Sequence, residues 1–355
     1  MAGDTFGHTL QLTTFGESHG RALGAVLSGF PSGIAVDEDF IQGEMDRRSP
    51  GRDRFSTQRR EPDRLQILSG VFEGVSTGTA IGMAIVNTDQ RSRDYDEMKD
   101  VFRPSHADYA YWTRYGHVDH RGGGRSSGRE TSMRVAGGAF AKLYLRQEGI
   151  QVHAGVRSIG TVTDGGAPFE PPFGNGIQAV DPAMVPLFEQ EIDRARMEQD
   201  SVGGIIECQV TGVPCGLGEP VFDKLDAALA AAIMSIGACK GVEIGSGFEA
   251  ASMRGSRYND QMHIEAGRPV FESNRSGGIQ GGISNGQPIV LRAAFKPTPS
   301  IGLEQHTVTR TMEDRTIRIG GRHDPCIVPR AVVVVEAMTA LVVADSLLRA
   351  RAYGI

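Results

Sequence analysis

The longest apolar stretch of the chain, Ala331 to Leu348, limits the possible folds more than any other feature. Glu336 and Asp345 interrupt it and Arg349 ends it, so it is too broken to span a bilayer. It has to be buried instead, as a helix or as a helix running into a strand. With 39% of its residues hydrophobic, the chain has enough apolar material for a sizeable core. The formal net charge of −6 argues against bulk binding to nucleic acid or membrane, which usually shows as a strongly basic domain.

Around this segment several helices are expected. Met133, Ala136, Phe140 and Leu143 recur at helical spacing after Ser127, which with Glu130 forms an S-x-x-E capping box, and Gly149 is a plausible stop. Phe222, Leu225, Leu229 and Ile233 mark a second helical face. Pro182 to Asp200, with Leu187, Ile192 and Met197, reads as a more polar surface helix. Short strands are expected at Ala25–Leu27, Gly204–Val213, Ile289–Phe295 and Ile317–Ile319. They do not alternate regularly with helices, and no G-x-G-x-x-G turn opens a helix, which argues against a Rossmann unit. The pattern predicts an α+β fold with antiparallel sheets packed on a helical layer, in one domain spanning 1–355. Cys208, Cys215, Cys239 and Cys326 are too few for a disulfide scaffold and have no zinc spacing, so free thiols in a reducing cytoplasm are expected. The first fourteen residues offer no signal-peptide core.

Glycine, at 47 residues, clusters beside Arg, Ser and His, as ligand-cradling loops do. In Phe15-Gly-Glu-Ser-His-Gly20 a histidine sits on a tight turn between small residues, where His19 could act as a general acid on a phosphate. It could equally be a surface-loop histidine. Seven arginines lie between Arg47 and Arg64, broken by Pro and Gly. They suit a small ligand with several anionic groups, a solvated loop, or an RNA-binding arm, although Asp53, Glu61 and Asp63 would repel a nucleic-acid backbone. Ser105, with Asp108 three residues on, predicts an N-cap that places His106 in the first turn of a helix. A second helix start at Ser127 follows three glycines, between Arg125 and Arg129. Two such starts make a generic anion site. His106, His117 and His120 match no standard metal spacing, and no metal is expected. Near the C-terminus, Lys296-Pro-Thr-Pro-Ser300 is a rigid, hydroxyl-bearing turn, and Gly321-Arg-His-Asp-Pro-Cys326 sets a cation, an imidazole and a carboxylate side by side. The residues alone leave an enzyme or binder for a small polyanion, with an RNA-binding module and a metal-dependent phosphohydrolase as rivals.

Taken in order, these segments resemble the chorismate synthases over nearly the whole chain. The resemblance is carried by G-E-S-H-G at 16–20, the arginine run at 47–54, T-Q-R-R-E-P-D at 57–63 and R-P-S-H-A-D-Y at 103–109. It continues in R-G-G-G-R-S-S-G-R-E-T at 121–131, K-G-V-E-I-G at 240–245, G-G-I-Q-G-G-I-S-N-G at 277–286, K-P-T-P-S at 296–300 and G-R-H-D-P-C at 321–326. No single motif is decisive, but nine in the family's order are very specific.

The resemblance implies a β-α-β sandwich, assembled as a cytoplasmic homotetramer with one flavin site per subunit. It implies an anti-1,4 elimination of phosphate from 5-enolpyruvylshikimate 3-phosphate to give chorismate, the last common step towards the aromatic amino acids. Reduced flavin mononucleotide (FMN) is required without net redox change. Carried over by position, His19 would protonate the leaving phosphate, His106 would sit at the electron-rich end of the reduced flavin, and Asp324 would help the flavin take the substrate proton. Arg48 and Arg54 match arginines assigned to substrate anions or a nicotinamide nucleotide. Flavin contacts would come from Arg125, Ser126, Ser127, Gly237, Ala238, Gly281, Lys296, Pro297, Thr298, Pro299, Ser300 and Arg322. Gly237 stands where the family often has Asn, and Pro299 where a hydroxyl residue is common. NADPH is a possible flavin reductant in the family. With no separate reductase domain visible, reduced flavin from elsewhere is the expectation.

Overall fold

The computed structural model describes residues 3–49, 63–87, 99–119, 123–319 and 324–354. Its helices are α1 (Glu38–Arg48), α2 (Asp108–Tyr115), α3 (Thr131–Gln147), α4 (Val185–Met197), α5 (Leu225–Met234), the single turn α6 (Gly255–Tyr258) and α7 (Val328–Arg351). Two five-stranded antiparallel sheets enclose α1, α3, α5 and α7. In space the first sheet runs Thr5–Phe6, Gln11–Gly16, Ala22–Ser28, Ile81–Val86, Gln66–Ile67. The second runs Cys239–Ile244, Ile289–Phe295, Gly204–Thr211, Gln151–Ile159, Val162–Thr163.

Alternation sets the inner face of each sheet. Leu23, Ala25, Leu27, Ile81, Met83 and Ile85 point inward from the first sheet, which packs on α3. From the second, Val152, Ala154, Val156, Ile206, Cys208, Val210, Leu291 and Ala293 pack on α7. The apolar run is therefore one continuous helix, and 89% of its most hydrophobic window is covered by protein. The two acids that interrupt it tie it to opposite sheets. Asp345 accepts hydrogen bonds from the backbone N–H of Thr9 and Leu10 (both 2.7 Å), leading into the first sheet. Glu336 accepts from the Ala154 N–H of the second (2.9 Å). It also pairs with Lys142 on α3 (2.5 Å) and Arg47 on α1 (2.7 Å). Burial alone would raise the Glu336 carboxyl, but those two cations hold it well below the ordinary range.

Adjacent glycines set the spacing of the layers. A Cβ at Gly137 would lie 2.7 Å from the Leu12 side chain of the first sheet, and one at Gly138 only 2.3 Å from Ala337 Cβ of α7. Glycine at both positions lets α3 approach sheet and helix at once.

Several sequence expectations need correction. Phe222 lies outside α5 and is 93% exposed, while Leu225, Leu229 and Ile233 are buried as expected. On α4 the buried face is Phe188, Ile192 and Ala195, at spacings of four and three; Leu187 and Met197 are exposed because a five-residue spacing drifts around the helix. The strand expected at Ile317–Ile319 runs Asp314–Ile317 instead. At Ser127 the capping box is half formed. Ser127 Oγ accepts from the Arg129 N–H at the start of a 3₁₀ turn, but the Glu130 carboxylate turns to Arg134 and Thr14.

Candidate active site

Loops from all three layers meet around one run of polar contacts. The hairpin loop after Gln11–Gly16 carries His19, which is 7% exposed and has Ser18 Oγ 3.2 Å from its Nδ1. The Asn87 carboxamide, just past Ile81–Val86, donates to the carbonyls of Glu17 (3.3 Å), Ser18 (3.4 Å) and Gly20 (2.8 Å). Its oxygen accepts from Arg129 Nε (3.0 Å). Arg129 Nη1 reaches Asp63 Oδ1 (2.7 Å), and the other Asp63 oxygen accepts from Arg48 Nη2 and Ser49 Oγ. Arg330 Nε then donates to the Arg48 carbonyl (3.1 Å), and Arg330 Nη1 pairs with Asp324. The Asp324 carbonyl accepts from Thr298 Oγ1 (3.0 Å), and Lys296 N–H donates to the Ala238 carbonyl (3.0 Å). Segments scattered from residue 17 to residue 330 are thus linked in space.

Charge balance along this run is tight. Burial alone would raise the Asp63 carboxyl, but Arg48 and Arg129 hold it below the usual carboxylate range. Burial pushes the Arg48 guanidinium down, and Arg48 Nε, fully buried, has no hydrogen-bond partner among the described residues. Burial and the neighbouring Lys240 ammonium both lower Lys296, leaving two cations close together.

His106 sits beside the glycine loop. Its Nδ1 lies 2.6 Å from Asp108 Oδ1 and 3.1 Å from Arg103 Nη2, so both groups fix the ring. Arg103 grips the same carboxylate through Nε (2.7 Å) and Nη2 (2.8 Å). Burial would raise Asp108; the hydrogen bonds from Arg103 and His106 hold it far below the ordinary range. A Cβ at Gly123 would lie 3.2 Å from His106 Cε1, and one at Gly124 3.7 Å from Glu17 Cδ. Both glycines have left-handed φ, so this loop brings the His106 ring and the His19 loop together where a larger residue would be strained.

The helix-start reading of His106 is corrected: α2 begins at Asp108 with Ala107 before it, and Ser105, at φ 58°, caps nothing. Arg125 turns towards the first sheet, donating to Thr14 Oγ1 (2.7 Å), the Thr14 carbonyl (3.2 Å) and the Gly16 carbonyl (3.4 Å). Ser126 and Ser127 are half-buried beside it. Gly237 is exposed with open space around it, and Ala238 has a left-handed φ of 69°. Gly281 stands apart. Its neighbour Gly282 accepts from the Leu225 N–H at the start of α5, whereas Gly237 follows the end of that helix, about 15 Å away at 1.5 Å per residue. Arg54 and Arg322 lie outside the described residues. Asn87 and Arg330 had no signal in the sequence. Asp63 did, inside T-Q-R-R-E-P-D, but was read only as an acid weakening the nucleic-acid case.

A family model for chorismate synthase matches residues 10–348. The chain belongs to the chorismate synthase family. It is 55% identical to the chorismate synthase of Archaeoglobus fulgidus over 350 residues, covering 97% of each chain. It is 52% identical to that of Methanosarcina barkeri over 354 residues, covering 98% of this chain and 97% of the other. A crystal structure of chorismate synthase superimposes with a TM-score of 0.77 at 34% identity, covering 97% of this chain and 93% of that one. The activity follows: the chain is a phosphate lyase that forms chorismate, closing the shikimate pathway. The family uses reduced FMN, and its substrate is 5-enolpyruvylshikimate 3-phosphate.

Proposed function

We propose that the elimination takes place along the polar run between the His19 loop and Asp324, with reduced FMN held beside it, in a cytoplasmic homotetramer. The observation that carries this reading is the connected path His19 loop–Asn87–Arg129–Asp63–Arg48–Arg330–Asp324. It joins the loop of an imidazole to three guanidiniums and two carboxylates, the kinds of group an acid-assisted loss of phosphate needs.

Arg48 and Arg54 are the cations assigned to the substrate's anionic groups. His19, protonated, gives its proton to the departing phosphate oxygen; the substrate's negative charge favours that protonated form. Asp324, oriented by Arg330, is assigned to the hydrogen leaving carbon 6 of the ring. The donor set fits FMN: open space at Gly237, hydroxyls on Ser126, Ser127, Thr298 and Ser300, and the paired cations Lys296 and Lys240 for its phosphate. When bound, the reduced flavin supplies the electron density that makes phosphate departure from an unactivated ring possible. His106, locked by Asp108, presents its ring to that cofactor, and Arg322 completes the assigned contacts. The reductant is external, with NADPH as its ultimate source.

An anaerobic assay of chorismate formation tests the reading. Turnover should require reduced FMN, fail with the oxidised form, and consume no flavin over many cycles. Stoichiometric flavin oxidation would overturn the elimination.

A further inference from the structure

Asn87 belongs to none of the motifs above, yet its side chain hydrogen-bonds to three carbonyls of the His19 loop. Its carboxamide is used in one sense only. The nitrogen faces three carbonyl oxygens, those of Glu17, Ser18 and Gly20 at 3.3, 3.4 and 2.8 Å, while the oxygen faces Arg129 Nε at 3.0 Å. The loop adds one internal backbone bond, Gly20 N–H to the Glu17 carbonyl (3.0 Å). Arg129 is in turn fixed by Asp63, which also holds Arg48.

We propose that Asn87 is a positioning residue for the reaction, holding the backbone on either side of His19 in register with the substrate arginines. Three carbonyls converging on one point repel one another unless a donor sits between them, and the amide nitrogen faces all three. The oxygen end then ties the loop to Arg129, so the acid and the anion-binding cations move as one unit. General acid catalysis depends on placing the proton within hydrogen-bond reach of the leaving oxygen, and a shift of about 1 Å can cost about 10²-fold. The proposal rests on the reading of His19 as the acid.

The test compares Asn87→Ala, Asn87→Asp, His19→Ala and the double variant Asn87→Ala/His19→Ala, in the intact enzyme with reduced FMN. Circular dichroism and FMN affinity serve as folding controls. Asn87→Ala should lower kcat by about 10–100-fold, with a much smaller change in KM. Asn87→Asp keeps an acceptor for Arg129 but sets a carboxylate against three carbonyls, so it should lose at least as much kcat. Adding Asn87→Ala to His19→Ala should cost nothing further. Parent kcat in Asn87→Asp, or additive losses in the double variant, would overturn the positioning role. Parent kcat in His19→Ala would instead overturn the acid assignment on which it rests, so the two failures are distinguishable. Should Asn87→Ala fail to fold, Asn87→Asp alone still decides the matter.

Discussion

Asp63 is the most demanding test of how the site is held together. Its carboxylate is buried, receiving Arg129 Nη1 at 2.7 Å, Ser49 Oγ at 3.0 Å and Arg48 Nη2. Asp63→Asn keeps the shape but removes the charge between two guanidiniums, one of them almost fully buried. Removing one partner of a buried ion pair costs about 3–5 kcal/mol. Since the amide still offers one acceptor, the lower end applies, about 3 kcal/mol, or roughly a hundredfold in the folding equilibrium. Arg48→Met combined with Asp63→Asn removes the stranded cation and should lose less than the two single changes summed, by about 1–3 kcal/mol. Urea unfolding followed by circular dichroism at fixed protein concentration measures both. The pH dependence has a definite sign. The folded carboxyl is depressed below its unfolded value near 3.9, so its stabilisation is complete above that pH and is lost as pH falls through the folded pKa. The gap between parent and Asp63→Asn should therefore be constant from pH 8 to about 4 and shrink only below. A loss under 1 kcal/mol, strict additivity in the double variant, or a gap that closes near pH 6 would refute the argument.

Two further outcomes follow from the geometry. His106→Ala should weaken reduced-FMN binding or change the absorbance of the ternary complex, while His19→Ala should lower turnover about 10²–10⁴-fold with flavin affinity nearly unchanged; identical profiles would make the assignments wrong. Gly138→Ala puts a Cβ 2.3 Å from Ala337 Cβ and 2.8 Å from its backbone oxygen, and should destabilise by about 1–3 kcal/mol. Gly43→Ala in α1, with nothing within 4 Å, should stabilise by roughly 0.5–1 kcal/mol; denaturation midpoints moving the same way would sink this contrast.

Local patterning made much of the architecture legible before any coordinates. Ile289–Phe295 is a strand as expected, the face Met133, Ala136, Phe140 and Leu143 is buried, and the broken apolar run is a core helix. These features depend on side-chain periodicity within one element, and periodicity is written into the sequence. The motifs likewise named His19, His106, Arg48 and Asp324 as chemistry-bearing residues. What the sequence could not supply was partnership. Glu336 and Asp345, which interrupt the apolar run, find partners far away in sequence, on Ala154 of the second sheet and on Leu10 at the entrance to the first. Asn87 and Arg330, ordinary polar residues in the chain, become part of the site only because distant loops bring three carbonyls, a guanidinium and a carboxylate within hydrogen-bond reach of them. Ser105 shows the converse: a capping residue by type, it takes a left-handed turn instead. Sequence fixes which groups are available, but the partner of each buried polar group is a long-range contact, and only the packed chain decides it.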